Sequence, residues 1–152
     1  VLELPVPIIA DHIGGLRGAS KQLIGEPEGI KQRGYGSLLQ LARRGKVIVK
    51  ISGLYRASNS GESGYADLAP IVKDLASEVP DQLIWASDWP HTGEGANRAA
   101  AGIESIEPFR AIDNPGILYN LRSWVGNEES WIKMLVVNPD HIYSKDDDQA
   151  SQ

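Results

Sequence analysis

Three short apolar runs punctuate the chain: Val6-Pro7-Ile8-Ile9-Ala10, Lys46-Val47-Ile48-Val49-Lys50-Ile51 and Gln82-Leu83-Ile84-Trp85-Ala86. Mostly apolar runs of this length, bounded by turn residues, predict strands buried on both faces, as in parallel sheets. Between them apolar residues recur at helical spacing. Tyr35, Leu38, Leu39 and Ala42 stand at i, i+3, i+4 and i+7, and Tyr65, Leu68, Ala69, Val72, Leu75 and Ala76 carry a longer stripe. Leu118, Leu121, Trp124 and Val125 mark a third helix, opened by Asn114-Pro115 as cap and first-turn proline. Asn127-Glu128-Glu129-Ser130 opens a fourth with Trp131, Met134 and Leu135, which Asn138-Pro139 is expected to stop.

The predicted strands begin about 40 and 36 residues apart, the interval of successive βα units in a parallel sheet. The links are unequal. From helix to strand they are short, Arg44-Gly45 and Val79-Pro80-Asp81. From strand to helix they are long: about twenty residues over Gly14–Arg33, about twelve over Gly53–Gly64, and a similar stretch from Trp89 onward. Long loops at the carboxyl ends of parallel strands are where (β/α) barrels and open α/β sheets hold their ligands. No fourth strand is predicted.

Composition narrows the function classes. A chain of 152 residues reads as one domain, and 41% hydrophobic with 23% charged residues reads as globular. A net charge of -5 with scattered Lys and Arg offers no footprint for nucleic acid or an anionic membrane surface. No apolar run approaches the roughly 20 residues that span a bilayer. The absence of cysteine excludes disulfides and thiolate metal ligands and fits a reducing compartment. With no basic-then-apolar leader at residues 1–5, the expected location is cytoplasmic. The chain opens on Val and enters a strand-like run at once, which reads as part of a longer fold. Residues 144–152, with Asp146-Asp147-Asp148, are expected to form an acidic disordered tail after a domain over 1–143.

Each strand-like run ends in reactive side chains: Asp11-His12-Ile13-Gly14-Gly15, Ser52-Gly53-Leu54-Tyr55-Arg56 and Ser87-Asp88-Trp89-Pro90-His91. On parallel neighbours these groups share one rim. Imidazole and carboxylate can bind a divalent metal or activate a water, and arginine offers a planar fork to a carboxylate. Each residue also has a plainer reading. An aspartate there can cap a turn, His12 can be a satisfied core histidine, and Arg56 can be a surface charge. Lys50 and His141 read as structural, and the tryptophans read first as packing residues.

The segments "IIADHIGG", "VIVKISGLYR", "LIWASDWPH" and "MLVVNPDHIY", in that order, resemble the second half of an amidohydrolase-related (amidohydrolase 2) protein. The branch most resembled is that of 2-pyrone-4,6-dicarboxylate hydrolase and the sugar lactonases. The resemblance covers roughly residues 5–143. It implies the C-terminal portion, about three βα units, of an α/β (β/α)8 TIM barrel with parallel strands and outer helices. It also implies a small carboxylated lactone or pyrone as substrate. By the same match Asp88 activates the hydrolytic water and His12 belongs to the same site. Arg56 meets the substrate carboxylate, and Tyr55 and His91 are further substrate-binding candidates. One branch works without a metal and others hold zinc or a similar ion, for which His12 and Asp88 would be the candidate ligands.

The departure is that the family's first-strand His-x-His pair is missing: the chain's histidines are His12, His91 and His141. A complete barrel takes about 250 residues. The expectation is therefore a fragment of a lactone or pyrone hydrolase. The alternatives are a decarboxylase on the same fold, or an inactive half-barrel that works by pairing with another chain. Exposed strand edges would favour self-association.

Overall fold

The structure, a computed structural model, describes residues 3–93, 102, 104 and 106–144. The expected acidic tail beyond Ser144 lies outside the described residues. Along the chain run β1 (Ile8–Ala10), α1 (Tyr35–Arg43), β2 (Val47–Ile51), the single turn α2 (Leu54–Ala57), α3 (Ala69–Glu78) and β3 (Leu83–Trp85). They are followed by α4 (Asn114–Val125), α5 (Glu128–Ile132) and α6 (Asn138–Tyr143).

The three strands form one sheet in the order β1-β2-β3, and both pairings are parallel. Ile51 and Trp85 end β2 and β3 side by side, and β1 ends at Ala10 opposite Val49, so Asp11 and His12 follow along the same edge. Central β2 is the most deeply buried: Val47, Ile48, Val49 and Ile51 are at most 5% exposed. Helix α3 turns Ile71, Val72 and Leu75 inward, and Leu121 of α4 and Met134 join the same core, all at 0% exposure. Fully burying a side chain of this size contributes about 1.5–3 kcal/mol relative to leaving it in water.

Several boundaries differ from expectation for local reasons. The cap of α4 is Asp113 rather than Asn114: its Oδ1 accepts from the Gly116 N–H, and Pro115 stands in the first turn. Helix α3 begins at Ala69, because Tyr65 takes a left-handed φ of 64° and residues Ala66–Leu68 form a tighter turn. Asn138-Pro139 does not end the helical run. A wide π turn over Lys133–Val137 leads straight into α6, with Pro139 in the first turn of α6, where an N–H is dispensable. His141 therefore lies within a helix rather than beyond one. Asn138, only 4% exposed, donates from Nδ2 to the carbonyls of Pro80 at 2.8 Å and Leu83 at 2.7 Å, fastening α6 to the start of β3. Among the described residues no helix is long and apolar enough to cross a membrane.

Candidate functional site

The backbone turns sharply where each strand stops. After β1 it enters a left-handed turn, with φ of 51° at His12 and 57° at Ile13 before Gly14 and Gly15. After β3, Asp88 has φ of 65°. Left-handed geometry costs a side-chain-bearing residue about 1–2 kcal/mol, so such residues persist only where their surroundings fix them. At the first turn that anchor is Ile13, wholly buried. After β2, Ser52 is wholly buried and Gly53 adopts φ of 53° before α2 presents buried Tyr55 and partly exposed Arg56.

The consequence is a tight cluster around Gly53. A Cβ placed on Gly53 would lie 2.8 Å from His12 Nδ1 and 2.9 Å from Asp88 Oδ2, so both side chains close over the glycine. Asp88 Oδ2 accepts from the Tyr55 hydroxyl at 2.6 Å and from Arg56 Nε at 2.6 Å. Arg56 also donates from Nη2 to Thr92 Oγ1 at 3.2 Å. On the other side Lys50 Nζ forms an ion pair with Asp11 Oδ1 at 2.6 Å, and Ser52 Oγ stands between Asp11 and His12.

These contacts set the charge states. Partial burial works against ionisation of Asp88. The hydrogen bonds from Tyr55 and Arg56, the guanidinium charge and the nearby His12 outweigh it, and the carboxyl is held below its ordinary range. Burial first, then the bond to Asp88 and its charge, push the Tyr55 hydroxyl up to about 12. The result is a carboxylate ionised at neutral pH and a phenol that stays a donor.

His12, Arg56, Tyr55 and Asp88 are brought together. His91 stands apart from the open side of the cluster. It is 7% exposed, packs edge-on against the Tyr55 ring at 5.7 Å, and places Nε2 3.2 Å from the Asn114 amide. Its main chain joins Asp88 to the approach of α4, donating to the Asp88 carbonyl and accepting from the Arg110 N–H. A hollow of about 210 Å³ lies beside the cluster, lined by His12, Gly15, Leu16, Arg17, Arg56 and Ala57. Among the described residues no three His, Asp or Glu side chains converge to hold a metal ion. His12 and Asp88 alone supply two ligands, fewer than the three protein ligands of a catalytic zinc site.

Two structural features had no counterpart in the sequence reading. One is the connected Lys50–Asp11–Ser52–His12 chain: a carboxylate partner is one reading of Lys50, and Asp11, His12 and Ser52 stand at strand ends, but no local pattern links them. The other is a latch between the long loops. Asp67 accepts from Ser20 Oγ and Ser58 Oγ, both at 2.6 Å, and from the Ser20 N–H at 3.0 Å. Burial opposes the Asp67 charge, but these bonds prevail and its carboxyl is held below the ordinary range. Gly18 is small for a reason: a Cβ there would sit 2.2 Å from Asp67 Oδ2.

This combination of parallel strands and an Asp–His–Arg cluster at their carboxyl ends agrees with comparison to known proteins. A family model described as amidohydrolase (Amidohydro_2) matches residues 1–108. The chain belongs to the amidohydrolase family. It is 31% identical over 137 residues to a 4-sulfomuconolactone hydrolase of Rhizobium radiobacter, covering 90% of this chain and 39% of that protein. It is 28% identical over 144 residues to the 4-sulfomuconolactone hydrolase of Hydrogenophaga intermedia, covering 94% and 41%. Among solved structures it resembles a Pseudomonas putida protein put forward as a 2-pyrone-4,6-dicarboxylic acid hydrolase. That likeness has a TM-score of 0.62 and 24% identity, over 91% of this chain and 43% of that one. The chain thus spans about two fifths of the length of the curated relatives it matches. Its three βα units are part of the amidohydrolase (β/α) barrel fold.

Proposed function

We propose that these residues form the Asp-bearing side of the active site of a hydrolase acting on acidic lactones or pyrone-like cyclic esters. Asp88 is the base that activates water. The observation that carries this reading is the Asp88 carboxylate, delivered by β3 to the rim and kept ionised by Tyr55 and Arg56 beside His12. The curated relatives named as lactone hydrolases support the substrate class. The remainder of the barrel rim, in the same polypeptide or a second one, completes the pocket.

In this reading a water held against Asp88 gives its proton to the carboxylate as its oxygen attacks the lactone carbonyl. The carbonyl oxygen becomes an anion that a guanidinium or a protonated imidazole at the rim stabilises. Collapse then breaks the ring C–O bond, and the proton held by Asp88 goes to the leaving oxygen. One water is consumed, and one carboxylate, one hydroxyl (or its keto tautomer) and one proton released to solvent are formed.

The test is Asp88→Asn in the intact protein, with ring opening of 4-sulfomuconolactone and of 2-pyrone-4,6-dicarboxylate followed by absorbance. The expected result is loss of turnover, a fall in kcat of at least about 100-fold, with ligand binding retained. Turnover that survives in Asp88→Asn removes the base from Asp88 and the proposal with it.

A further inference from the structure

Ser52 has 0% exposure, so its hydrogen bonds are settled by the protein groups around it rather than by water. Three polar atoms meet its Oγ: the His12 backbone N–H at 3.3 Å, Asp11 Oδ1 at 3.4 Å and His12 Nδ1 at 3.3 Å. A serine hydroxyl has one proton to give and two lone pairs that accept. The backbone N–H can only donate, so it takes one lone pair. Asp11, ion-paired with Lys50 at 2.6 Å, can only accept, so it takes the hydroxyl proton. Only the second lone pair is left for His12 Nδ1, and that nitrogen must then carry a hydrogen. The reverse assignment, with the hydroxyl proton on His12, would set two acceptors, Ser52 Oγ and Asp11 Oδ1, against each other at a buried atom.

We infer that Ser52 is a positioning residue that fixes the tautomer of neutral His12, with the proton on Nδ1 and the lone pair on Nε2. The ring that lines the hollow beside Asp88 is then a proton acceptor in its neutral form. It donates from Nε2 only after it has taken up a proton. His12 therefore cannot steady a carbonyl oxygen from Nε2 while neutral. In the hydrolysis proposed above, which this inference deepens, it acts there either as a second base or as a cation. Lys50 and Asp11 stand behind this arrangement: the ion pair orients the hydroxyl, and the hydroxyl orients the ring.

The experiment is long-range ¹H–¹⁵N correlation spectroscopy on protein labelled with ¹⁵N-histidine, recorded at a pH where His12 is neutral. The signal is assigned by its loss in His12→Asn. The expected wild-type pattern has hydrogen on Nδ1. Ser52→Ala should shift the signature to hydrogen on Nε2, and Ser52→Thr, which keeps the hydroxyl, should restore the Nδ1 pattern. Asp11→Ala gives a second route through a half-exposed side chain. With no carboxylate to accept it, the Ser52 hydroxyl proton turns toward Nδ1, and the Nε2–H form should then appear. A wild-type ring protonated on Nε2 overturns the inference. So does an unchanged tautomer in both Ser52→Ala and Asp11→Ala, or in Asp11→Ala alone should Ser52→Ala fail to fold. The hydrolase reading fails separately: a wild-type protein without lactone turnover leaves these spectra as expected.

Discussion

Gly53→Ala tests how closely the site is packed, because two separable costs fall on one methyl group. The first is conformational. Gly53 has φ of 53° and ψ of 47°, the left-handed region, where a side-chain-bearing residue costs about 1–2 kcal/mol. The second is steric. The new Cβ would approach His12 Nδ1 to 2.8 Å and Asp88 Oδ2 to 2.9 Å. Neither neighbour is free to swing away, since His12 is joined to buried Ser52 and Asp88 Oδ2 takes bonds from both Tyr55 and Arg56. Forcing an extra methyl into such a place costs about 1–3 kcal/mol more. Gly45 isolates the first cost: its φ is 66°, and a Cβ there meets nothing within 4 Å. Gly45→Ala should thus lose about 1–2 kcal/mol and Gly53→Ala about 2–5 kcal/mol. At about 2–4 °C per kcal/mol for a chain of this size, the two Tm shifts should be clearly resolved. Urea unfolding provides the measurement, read as a displaced midpoint at unchanged m. Equal losses for the two variants would show that His12 and Asp88 do not close on Gly53 and would undo the site geometry.

Tyr55→Phe removes a donor that favours the charged form of Asp88, so the Asp88 carboxyl should rise toward its ordinary range. The acid limb of the kcat/KM profile should then move to higher pH; an unmoved limb would separate that limb from Asp88. Asp67→Asn should cost about 1–3 kcal/mol at neutral pH by leaving Ser20 and Ser58 poorly matched. Because the folded-state carboxyl of Asp67 lies below its unfolded value, its contribution is complete above the ordinary carboxylate range. It fades as pH falls through the lowered value. The variant should therefore approach wild-type stability in acid, and a loss constant with pH would exclude this linkage.

The sheet was legible in the sequence because buried parallel strands write a continuous apolar signal. The strands at Val47–Ile51 and Leu83–Trp85 fall inside the runs that announced them, and their parallel pairing follows the spacing of the βα units. Helix ends were less legible, since a cap depends on which side chain reaches an N–H. Asp113, one residue before the expected cap, does so. Pro139 misled for a related reason. A proline stops a helix only where its N–H is needed, and the π turn before Asn138 places it where none is. The rim residues were legible as types at strand ends. Their partners were not: Lys50 and Asp11 are 39 residues apart by number, and Ser20 and Asp67 are separated by 47. No local pattern encodes such pairs; they exist only once the sheet and its loops have assembled.

Arg56 shows how a correct residue type can still leave its role open. The family resemblance reads it as a contact for a substrate carboxylate, and a guanidinium suits that task through two parallel N–H bonds. Here Nε is engaged by Asp88 and Nη2 by Thr92, so among the described residues only Nη1 is left without a hydrogen-bond partner. An acidic substrate can thus reach only the two N–H groups of Nη1, not a fork spanning two nitrogens, unless it displaces Thr92. The guanidinium already has a protein carboxylate, and removing it would alter the base itself. Arg56→Lys keeps the charge but loses the planar fork and the Nε donor. If Arg56 serves mainly the substrate, this variant should raise KM and leave the acid limb of kcat in place. If it serves mainly Asp88, kcat should fall and the limb should move to higher pH, because a donor to the charged form has been lost. The short Nε–Asp88 contact favours the second outcome, and a pure KM effect would contradict it.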